Sequence, residues 1–165
     1  MNIKPQKTGE LTRLGELIKD MSVAMLTTYN DAEGALMSRP MSPREMCEQG
    51  AIWFLTDSSS IKVQHLQEMN LSFSNESDST YVSISGHGEI VDDHARIESL
   101  WTVFAKPWFP DGVDSSNLAL LKFVPHSAEF WDAPNSKMVR MLAMAASIIT
   151  AKPIGMGDHG NLNAL

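Results

Sequence analysis

The chain has 165 residues, enough for one domain with a proper core and too few for two, so a single domain over 1–165 is expected. Twenty Asp and Glu residues (20) against 13 Lys and Arg leave a net charge of −7 with no Lys/Arg run, which argues against nucleic acid and membrane surfaces as partners. The 43% hydrophobic content excludes a disordered chain, roughly 18 consecutive apolar residues occur nowhere, and no apolar stretch follows the basic residues near Met1, so the expectation is a soluble, cytoplasmic protein.

Thr8-Gly9-Glu10-Leu11 opens a helical pattern that places Leu11, Leu14, Leu17 and Ile18 on one stripe and ends near Asp20. Val23 to Tyr29 reads as a strand, Asn30 to Gly34 as a turn and Ala35 to Ser42 as the returning strand of a hairpin. Pro40 lies inside that second strand and cannot donate to a ladder, which marks an edge or a bulge. Cys47 is alone in the sequence, so neither a disulfide nor a zinc cluster can form within the chain, and it reads as a loop or rim residue.

Ala51 to Leu55 forms the next apolar strand, followed by a helix over Ser60 to Met69 capped by Asp57 or a serine. Leu71 to Ser74 is a short strand. Tyr81 to Val91 is a longer one, with Val82, Ile84, Gly86, Gly88 and Ile90 on an inward face that has little room. Asp92-Asp93 caps a helix carrying Ile97, Leu100, Trp101 and Phe104, and a Pro-flanked loop from Lys106 to Gly112 follows. Leu118 to Val124 and Ala128 to Trp131 form the last strand region, interrupted at Pro125. A final helix with Met138, Met141, Leu142 and Ala145 stops at Pro153, and Gly155 to Gly160 reads as a surface tail. Six strand segments with short connections and helices between them predict a mainly β, α+β fold: a barrel-like antiparallel sheet with peripheral helices.

The pattern that carries chemistry is Ser38-Arg39-Pro40-Met41 together with Thr56-Asp57-Ser58-Ser59-Ser60-Ile61-Lys62. Hydroxyls and backbone N–H groups gather where a strand hands over to a helix, and Arg39, Thr56, Ser60 and Lys62 can converge on one dianion such as a phosphate. The same residues also suit a capped helix with Arg39 paired to a surface carboxylate. Gly86-His87-Gly88 lies inside a strand and lacks the context of a dinucleotide loop. The histidines lack metal-ligand spacing. No Gly-x-Ser-x-Gly elbow exists, so no serine nucleophile is expected. Trp108 between two prolines and Trp131 at a strand end are placed to cover a planar ligand.

These segments, with Trp53 to Asp57 and Glu129-Phe130-Trp131, resemble the FMN-binding split-barrel family that includes pyridoxamine 5′-phosphate oxidase, and most closely its general stress protein 26-like branch. The likeness spans roughly Asp20 to Trp131 and implies a split β-barrel. It implies FMN with its phosphate on Arg39, Thr56, Ser60 and Lys62, and the flavin ring bordered by Pro40, Met41, Phe54 and Leu55. It also implies contacts from Tyr81 and, across a homodimer interface, from Trp131 of the second subunit. The segment after Phe130-Trp131 departs from the oxidases: Ser136 to Arg140 and the ending Asn161 to Leu165 lack the arginines that hold a pyridoxamine substrate, and Ile61 replaces a frequent second basic residue. The expected function is therefore an FMN-binding, stress-related protein and flavin-dependent oxidoreductase of unknown substrate, with no catalytic acid or base assigned and no metal. The alternatives are a non-catalytic flavin-binding or sensing module, one that holds haem among them, and a divergent pyridoxamine 5′-phosphate oxidase.

Overall fold

The computed structural model describes residues 1–59, 66–132, 158–163 and 165. Its first helix, α1 (Gly9–Ile18), follows a short strand β1 (Asn2–Ile3) and begins where expected, because the Thr8 hydroxyl accepts a hydrogen bond from the Leu11 amide at 3.2 Å. Leu11, Leu14, Leu17 and Ile18 are all buried, as their spacing dictates.

The hairpin β2 (Ala24–Asn30) and β3 (Ala35–Met41) turns through Asn30, whose Oδ1 accepts from the Ala32 amide at 3.1 Å, and through Gly34 at a φ of 63°. Next come β4 (Glu45–Met46), β5 (Ile52–Asp57), β6 (Met69–Asn75), β7 (Thr80–Val91), helix α2 (His94–Leu100), β8 (Leu118–Asp132) and β9 (Asp158–Asn163). All pair into one sheet in the order β1-β4-β5-β8-β7-β6-β2-β3, with β9 added on β8. β3 is an end strand, so Pro40 sits on the edge that its missing N–H requires. Among the described residues no helix is long and apolar enough to cross a membrane.

The mainly β fold with peripheral helices stands as predicted, and the strand count rises from about six to nine among the described residues. Part of the difference is the two-residue strands β1 and β4, which pair in parallel and are too short to leave a periodic signal. The rest is β9. Gly155 to Gly160 was expected to be a tail, but Asp158–Asn163 pairs with Ser127 to Asp132 of β8, and Gly160 lets the backbone lie close against the Phe130 ring. Glycine and asparagine carry no strand propensity of their own, so only the neighbouring ladder makes this segment a strand.

Three further expectations change. The helix expected to reach Met69 cannot do so, since Met69 already belongs to β6; residues 60–65 lie outside the described ones. Helix α2 ends at Leu100 instead of running to Phe104, because Trp101 turns extended and the Thr102 hydroxyl caps a new 3₁₀ turn at Val103–Ala105 by accepting from the Phe104 amide. β8 runs through Pro125 unbroken: Gly86 faces Pro125, Ser85 faces Ser127, and His126 is the extra residue of a bulge that needs no N–H from the proline. The final helix, expected to carry Met138 to Ala145 and to stop at Pro153, lies outside the described residues.

Two cores result. Inside the curled sheet, Leu14, Ile18, Leu26, Phe54, Ile84 and Phe123 form the main one. On the outer side of β5 and β8, Ile97, Leu100, Phe109, Leu118 and Leu120 form a smaller one against Trp53 and Leu55. A buried carboxylate ties the two sides together: Glu45 meets Arg96 at 2.6 Å and Lys4 at 3.6 Å, while the Arg96 guanidinium lies over the Trp53 ring at 4.9 Å. Glu45→Gln, which leaves Arg96 without its counter-charge, is expected to lower unfolding free energy by about 2 kcal/mol in urea titrations, as for a charged hydrogen bond; an unchanged midpoint would show that the pair contributes nothing.

Candidate functional site

β5 alternates Ile52 and Phe54 into the main core with Trp53 and Leu55 toward α2, and it ends in Thr56-Asp57. The chain then turns over an Asp57 cap, whose Oδ1 accepts from the Ser59 amide at 2.8 Å and whose Oδ2 accepts from Asn117 Nδ2 at 2.7 Å. Although β3 and β5 are far apart in strand order, the sheet curls until their ends approach. A cavity of about 500 Å³ opens there. One wall is Pro40, Met41 and Ser42 with Leu55, Thr56 and Asp57; the other is Thr102, Phe104, Ala105, Trp108 and Phe109, with Arg44 between them.

Five of the expected residues, Pro40, Met41, Leu55, Thr56 and Trp108, therefore share one cavity. Arg39 precedes that wall by one residue. It is cross-strand from Leu26, on the inward face of the hairpin, and its guanidinium donates a long 3.4 Å bond to the Thr28 hydroxyl. Its Nε is buried with no hydrogen-bond partner. Phe54 is fully buried in the core, one residue from the cavity wall. Tyr81 and Trp131 are cross-strand partners elsewhere: Trp131 lies twelve residues along β8 from Ala119, the partner of Thr56, or roughly 40 Å of strand. Trp131 stacks on His159 of β9 with 5.2 Å between ring centroids. Ser60 and Lys62 lie outside the described residues.

Two contributors escaped the sequence reading. Arg44 stands five residues after Arg39, just past the strand; its Nε donates to the Leu100 carbonyl at 3.2 Å, and burial pulls its pKa below the usual guanidinium value. The second cation at that spacing was the available signal. The helical pattern puts Phe104 on a packing helix, whereas the turn at Thr102 releases it to the cavity rim, 80% exposed. A second, shallower cavity beside β2 and β6 carries Asp20 and Glu76 and no cation, which suits no anion.

The family model for pyridoxamine 5′-phosphate oxidase-like proteins matches residues 9–154. The chain belongs to that family. Among solved structures of this oxidase-like family's fold, a general stress protein 26 from Jannaschia sp. CCS1 superposes with a TM-score of 0.73 at 23% identity, covering 94% of this chain and 99% of that one. The general stress FMN/FAD binding protein of Xanthomonas citri gives 0.65 at 27% identity, covering 78% and 93%. Protein bli-3 of Neurospora crassa is 24% identical over 157 residues, 87% of this chain and 75% of bli-3. The split-barrel fold expected from the sequence is thus the fold of this family's solved members, and the cavity lies at two of the three motifs that suggested the family, while the third, Glu129-Phe130-Trp131, lies elsewhere on the sheet.

Proposed function

We propose that this protein binds FMN in the cavity between the ends of β3 and β5 and works, as a homodimer, as a flavin-dependent oxidoreductase related to the general stress proteins. One observation carries the reading: two motifs distant in sequence and in strand order line a single cavity, and the residue just before Pro40 of its lining, Arg39, has a buried guanidinium nitrogen that lacks a partner. A buried donor without an acceptor is costly, and a phosphate oxygen would satisfy it. The cavity volume falls within the ordinary range for small-molecule sites, about 300–1,000 Å³. The FMN/FAD binding named for the Xanthomonas citri protein supports the same choice.

In this reading Arg39 and Thr56, with Ser60 and Lys62, take the phosphate, the backbone of Pro40-Met41 and Phe54-Leu55 borders the ring, and Met41, Leu55 and Phe109 keep water from it. The bound flavin would supply two-electron transfer. In their own protomer Tyr81 and Trp131 lie far along the sheet from the residues that line the cavity, and in this reading they come to the flavin from a second copy. Met25, Tyr29, Leu36 and Met37 on the β2–β3 hairpin, with Val23 just before it, are exposed here and give a second copy an apolar surface to cover.

The purified protein is expected to carry visible flavin absorption or to take up added FMN with an affinity of about micromolar, near 8 kcal/mol. Chromatography of the chromophore released by heat distinguishes FMN from FAD, riboflavin and haem. Colourless protein that takes up no flavin at that concentration ends the reading. Light scattering during gel filtration should give twice the mass of one chain; a monomer at tens of micromolar would remove the dimer.

A further inference from the structure

The wall of the cavity made by the segment after α2 has no task in holding a phosphate. Phe104 is 80% exposed and Trp108 73% exposed, both at the rim. The backbone that carries them is anchored by local bonds: the Phe104 amide donates to the Thr102 hydroxyl at 3.1 Å and the Trp108 amide to the Ala105 carbonyl at 3.0 Å. Phe109, next in the chain, is buried in the smaller core edge-on to Trp101. Two large rings are thus presented to the cavity by an anchored segment, where flat aromatic faces favour a flat partner.

Arg44 supplies the second element. Only its Nε is committed among the described residues, to the Leu100 carbonyl, and no carboxylate pairs with it. The neighbouring Glu45 does not serve, being held by Arg96 and Lys4. The acidic residue of the lining, Asp57, already accepts from Ser59 and Asn117. A partly buried cation without a carboxylate partner among the described residues, lining a cavity, is a receptor for an anion.

Resting on the flavin reading above, we propose that this wall is the substrate subsite and takes a planar aromatic ring bearing one carboxylate, with the ring against Trp108 and Phe104 and the carboxylate on Arg44. A carboxylate matches the two-pronged edge of one guanidinium. A phosphate dianion would leave a negative charge uncompensated next to Asp57, so it is disfavoured here.

The test is calorimetric and fluorescence titration of the FMN-loaded protein with 2-naphthoate, naphthalene-2-methanol, cyclohexanecarboxylate and phenyl phosphate. Naphthoate should bind at least about tenfold more tightly than each of the others, without releasing flavin. Arg44→Gln should erase the preference for naphthoate over the neutral alcohol, and Trp108→Ala the preference for naphthoate over the saturated acid, each with flavin retained. Equal binding of all four probes, or displacement of flavin by naphthoate, overturns the proposal, and the probe series decides this even if a variant fails to fold. If the protein takes up no FMN, the flavin reading falls by itself. The same four titrations on the flavin-free chain then judge the subsite alone, with tight selective binding supporting it and its absence refuting it.

Discussion

Arg39→Ala is expected to weaken FMN binding by about 10- to 150-fold while leaving the flavin-free protein as stable as before or slightly more so. The first part follows from losing one charge-assisted hydrogen bond, about 1.5–3 kcal/mol, at about 1.4 kcal/mol per tenfold change. The second follows from the guanidinium's present surroundings. Its Nε is buried without a partner and its terminal nitrogen makes only a 3.4 Å contact to Thr28, so the folded chain gains little from it. The opposite pattern, a large fall in melting temperature with flavin affinity retained, would mean that Arg39 is a structural residue and that the anion is held elsewhere. Flavin titration and thermal unfolding of the same two proteins distinguish the cases. Arg39→Lys should recover part of the affinity through charge alone, without the fork geometry that two oxygens of one phosphate reward.

Gly86→Ala should be the most destabilising single methyl in the described sheet. At this position an added Cβ would run into the Val124 carbonyl oxygen, with the Phe123 ring 2.7 Å away. A backbone oxygen at the bulge cannot swing aside as a side chain can, so either the bulge opens or the two strands separate. Overpacking of this kind costs about 3 kcal/mol or more, which in a chain of this size lowers the melting temperature by roughly 6–12 °C. Gly88→Ala, two residues on, is the control. Its Cβ would meet Met69 Sδ at 2.6 Å and Leu121 Cδ1 at 2.9 Å, both at the ends of movable side chains, and about 1 kcal/mol is expected. Equal melting temperatures for the two variants would show that the bulge is not rigid.

The comparison of these glycines also shows how far a sequence can be read. The alternation of Val82, Ile84, Gly86 and Gly88 announces an inward face with no space, and the structure bears this out. It does not announce that Gly86 faces a backbone carbonyl while Gly88 faces side chains, because that depends on the extra residue His126 in the partner strand. The same division runs through the candidate site. Arg39-Pro40-Met41 and Leu55-Thr56 are recognisable as residue types in order, while Arg44 and Phe104 join them through the turn at Trp101-Thr102, which breaks a helical pattern that local periodicity supports.

The sequence by itself determined the elements whose residues carry their own signal: the capped, amphipathic α1, the turn at Asn30 to Gly34, the alternating strands, the edge strand with Pro40, and the residue types that suit an anion. Only the tertiary structure decided that the ends of β3 and β5, remote in strand order, share a cavity, that β8 continues through Pro125, and that Asp158–Asn163 is a strand at all. The physical reason is the range of the interactions. Caps, turns and the periodicity of burial are set by residues a few positions apart, whereas sheet curvature, bulge register and the pairing of a segment with little strand propensity are set by partners that the local sequence does not contain.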